Sequence, residues 1–126
     1  MTTNFKKSEF ECKCGCKMPS KILANVVKTA DNLQVLRDHL KASITINSAY
    51  RCKAHNLASN GVKTSQHLQG IATDIICKAH KPESLYKIIE DLIEKGKLKE
   101  GGLGLYNTFV HYDIRGNKAR WDYRKD

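Results

Sequence analysis

Proline and aromatic residues are scarce in this 126-residue chain, with two prolines, one tryptophan and 7% aromatic content. Two prolines and eight glycines exclude a collagen-like or low-complexity polymer. No apolar run approaches the roughly 20 residues that cross a bilayer. The longest, around residues 71–77, is broken by Asp74, so membrane insertion is not expected. The stretch from Met1 to Lys7 holds no apolar segment of a secretory signal, and synthesis in the cytoplasm without a signal peptide is the expectation. Acidic residues are few, 13 against 22 Lys and Arg, which leaves a formal charge of +9. Arginines interleaved with aromatics, the mark of a nucleic-acid face, are missing, so specific nucleic-acid binding is not expected. Internal repeats are also absent.

What remains is 40% apolar sequence with regular periodicity, enough for one buried core. A single domain over residues 1–126 is expected, with 1–19 as an irregular, cysteine-containing arm. A positive surface attracts polyanions, among them the anionic polymers of a bacterial envelope. Many of the lysines, such as Lys87 and Lys95, fall on or beside a predicted helix, where solvated lysines are ordinary. Five cysteines, Cys12, Cys14, Cys16, Cys52 and Cys77, make an odd count. Three readings stay open for them: reduced thiols in a tight turn, a disulfide from the C-x-C-G-C segment to Cys52 or Cys77, or zinc bound by the triplet with one distant cysteine.

Along the chain, Ser20 suits an N-cap. Ile22, Leu23, Val26, Val27, Ala30, Leu33, Leu36 and Leu40 then recur at helical spacing to a stop near Lys41. Residues 44–50 alternate and are β-branched, predicting a strand. Residues 51–69 are polar and read as a long loop, and 70–77 as a buried strand. Pro82 opens a second helix with Leu85, Ile88, Ile89, Leu92 and Ile93 inward and Gly96 as its stop. Strands at 103–106 and 109–115 turn at Asn107-Thr108, and the remainder reads as a tail containing Trp121. This order predicts an α+β fold, a small and mainly antiparallel sheet packed with two helices.

Two segments place ligating side chains inside apolar strands: residues 65–74 and residues 109–113. Asp74 sits between Ala72, Ile75 and Ile76, and an ionised carboxylate withdrawn from water needs a cation or several donors. His67 precedes it by a loop, and His111 comes from a different strand. Two imidazoles and one carboxylate form a common catalytic zinc set with one position open. Three unrelated polar residues, with His111 a satisfied core histidine, are the competing account.

The pattern Ser65-x-His67-x-x-Gly70-x-Ala72-x-Asp74, followed by Phe109-Val110-His111-x-Asp113, resembles the zinc D-alanyl-D-alanine peptidases of bacterial peptidoglycan, relatives of the hedgehog signalling domain. The likeness extends to Ser48-Ala49-Tyr50-Arg51, where Ala49 replaces the glycine of an S-G-Y-R segment. It also takes in Asn56 and residues 102–106, and covers about residues 5–121. The resemblance implies one catalytic Zn2+ held by His67, Asp74 and His111, with Arg51 polarising the scissile carbonyl or gripping a peptide carboxylate. Ser65, Gln66 and Tyr106 would orient the ligand loop or touch substrate.

One position departs from the pattern. Several relatives carry an acid three residues before the last histidine, and here Thr108 stands there. Asp113 shares a strand face with His111, so it would either accept the water's proton or fix the His111 ring. Outside the motif, His55 in the loop and His80 are the remaining imidazole candidates, and His39 reads as a surface residue.

The expected function is a zinc metallopeptidase hydrolysing peptidoglycan peptide bonds with metal-activated water. Whether it acts as a carboxypeptidase or a stem or cross-link endopeptidase stays open. A monomeric phage-type lysin reaching the cell wall or periplasm during lysis fits the small size, and a bacterial remodelling enzyme is the variant of that reading. The alternatives are a non-catalytic, zinc-stabilised binding module of hedgehog-like fold and a basic nucleic-acid binder.

Overall fold

The structure, a computed structural model, describes residues 2–52, 56 and 65–125. Helix α1 (Ser20–Leu40) buries Val26, Ala30, Leu33 and Leu36 of the stripe that the periodicity predicts, together with the polar Thr29, whereas Val27, expected in the stripe, is 40% exposed. Its start differs from expectation. Pro19, extended at φ −61° and ψ 148°, is the N-cap, no side chain caps the helix, and Ser20 is already helical. A proline ring fixes that φ without needing an amide hydrogen, which leaves Ser20 free to enter the first turn. The helix ends at Lys41, which adopts the left-handed conformation at φ 52° and returns its amide to the Arg37 carbonyl.

Helix α2 (Pro82–Glu94) has proline in its first turn and buries Leu85, Ile89, Leu92 and Ile93. Each such side chain contributes about 1.5–3 kcal/mol when fully withdrawn from water. The helix lies against the sheet at β3 and β4.

Five strands make that sheet: β1 (Thr45–Ser48), β2 (Ala72–Ile76), β3 (Gly102–Leu105), β4 (Val110–Asp113) and β5 (Ala119–Asp122). Their order across the sheet is β1-β2-β4-β3-β5, with every pair antiparallel except β3–β5. The α+β class therefore holds, with the two expected helices among the described residues. Strand β5 lies in the segment expected to be a tail. Ala119-Arg120-Trp121-Asp122 lacks clean apolar alternation, and its pairing is fixed by non-local bonds. Arg120 joins it to Glu90 of α2 at 2.8 and 2.9 Å and to Glu100 at 2.8 Å.

Register places one row of residues straight across the sheet. Ser48 pairs with Asp74, Asp74 with His111, His111 with Gly104, and Gly104 with Trp121. A bulge between Ile46 and Ser48 brings Ser48 into that row. The alternate residues Thr73, Ile75, Val110, Tyr112 and Leu103 are fully buried on the other face. Tyr112 thus faces away from His111, as strand alternation predicts, and its hydroxyl donates to the Lys99 carbonyl at 2.6 Å.

The arm is better packed than its composition suggests. It forms a short 3-10 turn (Lys7–Phe10), and Phe5, Phe10, Cys12 and Met18 are buried in the same core as α1. The Tyr50 amide donates to the Phe10 carbonyl at 3.1 Å, tying the arm to the end of β1.

Gly104 is the tightest point of the site-bearing row, since a Cβ there would lie 2.2 Å from Trp121 Nε1. Gly104→Ala should therefore push the indole off the sheet and cost about 1–3 kcal/mol by overpacking. Chemical denaturation checks the stability, and emission from the sole tryptophan reports its displacement. Unchanged stability and unchanged emission together would refute this packing.

Candidate metal centre

Each candidate ligand is presented by a rigid element. Asp74 and His111 are opposed residues of adjacent strands, so the ladder itself sets their separation. His67 comes from a 3-10 turn (Gln66–Gln69) inside the stretch expected to be loop. Ser65 caps that turn, its hydroxyl accepting the His67 amide at 3.2 Å. Gly70 ends the turn at φ +74°, where a Cβ would also strike Ile22 Cγ2 of α1 at 2.7 Å. Sequence reading finds these residues, and the structure brings all three together.

His67 Nε2 lies 3.3 Å from Asp74 Oδ1, and His111 Nδ1 lies 3.2 Å from the same oxygen. All three donor atoms fall within 4.8 Å of one another. Donors about 2.0–2.2 Å from a tetrahedral zinc ion are separated by roughly 3.3 Å along each edge. The chemistry and spacing of this donor set therefore fit zinc.

The far side of each ring strengthens that fit. His67 Nδ1 donates to the Ala49 carbonyl at 2.7 Å, and a carbonyl can only accept, so Nε2 keeps its lone pair. His111 is arranged the opposite way round. Its Nε2 donates to Asp113 Oδ2 at 2.7 Å, which frees Nδ1. Ala49, which replaces the glycine of the resembled motif, contributes through its backbone.

Burial alone would push the Asp74 carboxyl up, but hydrogen bonds from the His111 and His67 rings hold it well below the usual carboxylate range. Burial likewise works against charge on His111, yet Asp113 and Asp74 raise its pKa above the ordinary histidine value. Positive charge is thus favoured at this point, whether on the His111 ring or on a metal.

Asp113 is fully buried and saturated. Besides the His111 ring it accepts the Gly102 amide at 2.8 Å, and from Arg115 the amide at 3.1 Å, Nε at 2.8 Å and Nη2 at 2.7 Å. Of the two roles open to it, ring fixing matches this geometry, and accepting a further proton does not. Burial opposes its charge, but bonds from His111 and Arg115 hold its pKa far below the usual range.

Arg51 leaves the end of β1 and places Nη2 3.3 Å from Asp74 Oδ2, with Nε on Ser48 Oγ at 3.1 Å. Gln66 lies on the ligand turn and is partly buried. Tyr106 accepts Trp121 Nε1 at 3.0 Å and stacks on Phe109 at 4.3 Å. Burial raises its phenol above the ordinary tyrosine value despite the Trp121 bond, keeping it a neutral donor. Thr108 is exposed in the β3–β4 turn. His80 is removed from the centre, its Nδ1 3.3 Å from Ser84 Oγ. His55 lies outside the described residues.

Two neighbours escape sequence reading. Trp121 tilts against His111 with centroids 5.0 Å apart, and Arg115 stacks over the same indole at 5.6 Å. The available signal was Gly104, a strand glycine directly before the histidine hairpin, which often marks close approach of another group.

Residues 3–113 match the family model described as Peptidase M15. No curated protein matches the chain.

If Asp113 fixes the ring, Asp113→Asn should weaken zinc affinity by about 10–100-fold while the circular dichroism spectrum is retained. Competition with a chromophoric chelator measures it. Unchanged affinity alongside lost activity would instead assign Asp113 to proton transfer.

Proposed function

The chain belongs to the M15 peptidase family, and from that membership we propose that it hydrolyses peptide bonds of bacterial peptidoglycan, with His67, Asp74 and His111 as ligands of one catalytic zinc ion. The observation that carries the reading is the convergence of two imidazole nitrogens on one carboxylate oxygen at 3.3 and 3.2 Å, with all three donors within 4.8 Å and each ring anchored from behind. Zinc bound there supplies a Lewis acid for the scissile carbonyl and brings deprotonation of a water into the neutral range.

The chain's own residues do the rest. Side-chain exposures of 5% for His67, 11% for Asp74 and 9% for His111 leave the donors nearly buried yet within reach of solvent. Arg51, fixed by Ser48 and Asp74, holds a permanent positive charge beside them. It meets the oxygen on which negative charge develops, or the terminal carboxylate of a stem peptide. Tyr106 donates its phenolic proton to a substrate carbonyl, and Ser65 and Gln66 keep the His67 turn in place. Asp113 is a positioning residue, holding the tautomer of His111. The +9 charge draws the protein toward anionic wall polymers, an attraction that salt weakens. Action at the wall during phage lysis, as a monomer, completes the proposal.

One observation favours a second reading, a zinc-stabilised binding module. The position where relatives carry an acid is Thr108, out in a turn, and both Asp113 oxygens are already engaged by His111, Gly102 and Arg115. Mass analysis of purified walls incubated with the protein separates the two. The peptidase reading expects new peptide ends, abolished by a chelator and restored by zinc. Arg51→Ala should keep its zinc and lower kcat/KM about 100–1,000-fold. Intact walls under every condition would establish the module reading.

A further inference from the structure

Away from the histidine cluster, four thiols gather where the arm meets the end of β1. Cys12 Sγ lies 3.2 Å from Cys14 Sγ and 3.8 Å from Cys52 Sγ, and Cys14 Sγ lies 3.5 Å from Cys52 Sγ. Cys16 completes the group, with all four sulfurs within 4.8 Å of one another. Zinc–sulfur bonds of about 2.3 Å at tetrahedral angles put sulfurs roughly 3.8 Å apart, and the separations of 3.2, 3.5 and 3.8 Å reach that edge or fall slightly short of it. Cys12, Cys14 and Cys52 are mutually close, so the sulfurs form one group rather than two separate couples.

The backbone is shaped for the same end. The Gly15 amide donates to the Cys12 carbonyl at 3.0 Å, and Gly15 takes φ +85°, a turn that swings Cys14 and Cys16 round to the side of Cys12. The Cys52 amide points at Cys12 Sγ at 3.5 Å, a donor suited to a thiolate. Lys13 and Lys17, both exposed, alternate with the cysteines and offset the excess negative charge of four thiolates around a divalent ion.

We propose that Cys12, Cys14, Cys16 and Cys52 bind a second zinc ion in a closed four-thiolate site that clamps the arm to the segment carrying Arg51. Four protein ligands leave no position open for water, so the ion is structural rather than catalytic. Each thiol gives up its proton to solvent as the ion binds, and uptake is accordingly favoured by rising pH. No change of oxidation state is involved. The clamp reaches the histidine centre through a short path. Cys52 follows Arg51, whose amide donates to the His67 carbonyl at 3.1 Å, and the Ala49 carbonyl holds the His67 ring. The thiolate ion thereby positions both Arg51 and a ligand of the first centre.

The test counts metal in the full chain by elemental mass spectrometry, alongside two variants. The unaltered protein should hold two zinc ions per chain, and the double variant His67→Ala/His111→Ala should hold one. X-ray absorption of that histidine variant should show a sulfur-only shell at about 2.3 Å, and cobalt substitution should give strong thiolate-to-metal charge transfer. Cys14→Ser/Cys16→Ser should lose this signal and retain one ion. Where the cysteine variant fails to fold, the histidine variant alone decides. A histidine variant free of metal, or native protein whose mass and alkylation show these cysteines in disulfides, overturns the proposal. Failure of the first centre looks different, since then the cysteine variant would fold and carry no zinc.

Discussion

A carboxylate buried in a central strand governs this molecule. Asp74 is only 8% exposed, and a lone ionised carboxylate in such a place would cost several kcal/mol. The fold answers by surrounding it with nitrogen. His111 faces it across the ladder, His67 folds back over it from the preceding turn, and Arg51 covers its second oxygen. A divalent ion held by the three donors would answer the same buried charge and make the cluster a Lewis-acid site. The demand of one buried charge thus links sheet register, turn geometry and chemistry.

Rigidity behind the donors follows from the same demand. A ligand set tolerates little angular error, and each ring here is held at its far nitrogen. The anchors differ in kind. His67 leans on a backbone carbonyl near β1, whereas His111 leans on a carboxylate that is itself locked by Arg115 and Gly102. Trp121 closes the remaining side of His111, and Gly104 makes room for it. The edge strand β5, which bears no ligand, therefore matters to the site through its indole. Helix α1 contributes from the other direction: Thr29 donates to the Gly70 carbonyl at 3.0 Å and so steadies the end of the His67 turn.

Much of this was legible before any coordinates. Apolar spacing located both helices, because amphipathic stripes of Leu, Ile and Val have few other uses. Alternation located the strands of Asp74 and His111, and the paired motifs picked out the three candidate ligands that the fold brings together. Strand β5 was not legible, since its residues carry no alternating signal and its partner is parallel and distant. The N-cap was misplaced by one residue because Ser20 has the right chemistry, while Pro19 has the right backbone. Period-two reasoning put Asp113 on the correct face but could not choose its role. That choice depends on Arg115 and Gly102, whose hydrogen bonds are tertiary facts. The gathering of four thiols was one reading among three, because nothing local shows that Cys52 returns to the arm.

The central claim is that His67 Nε2, Asp74 Oδ1 and His111 Nδ1 share one ion. Anomalous X-ray scattering at the zinc edge, from crystals of the protein grown with zinc, tests it most directly. The account predicts a peak about 2.0–2.2 Å from all three atoms, with Asp113 still on His111 Nε2. A histidine–carboxylate cluster that is intact but lacks a peak, or an ion bound through His111 Nε2 with Asp113 displaced, would contradict it.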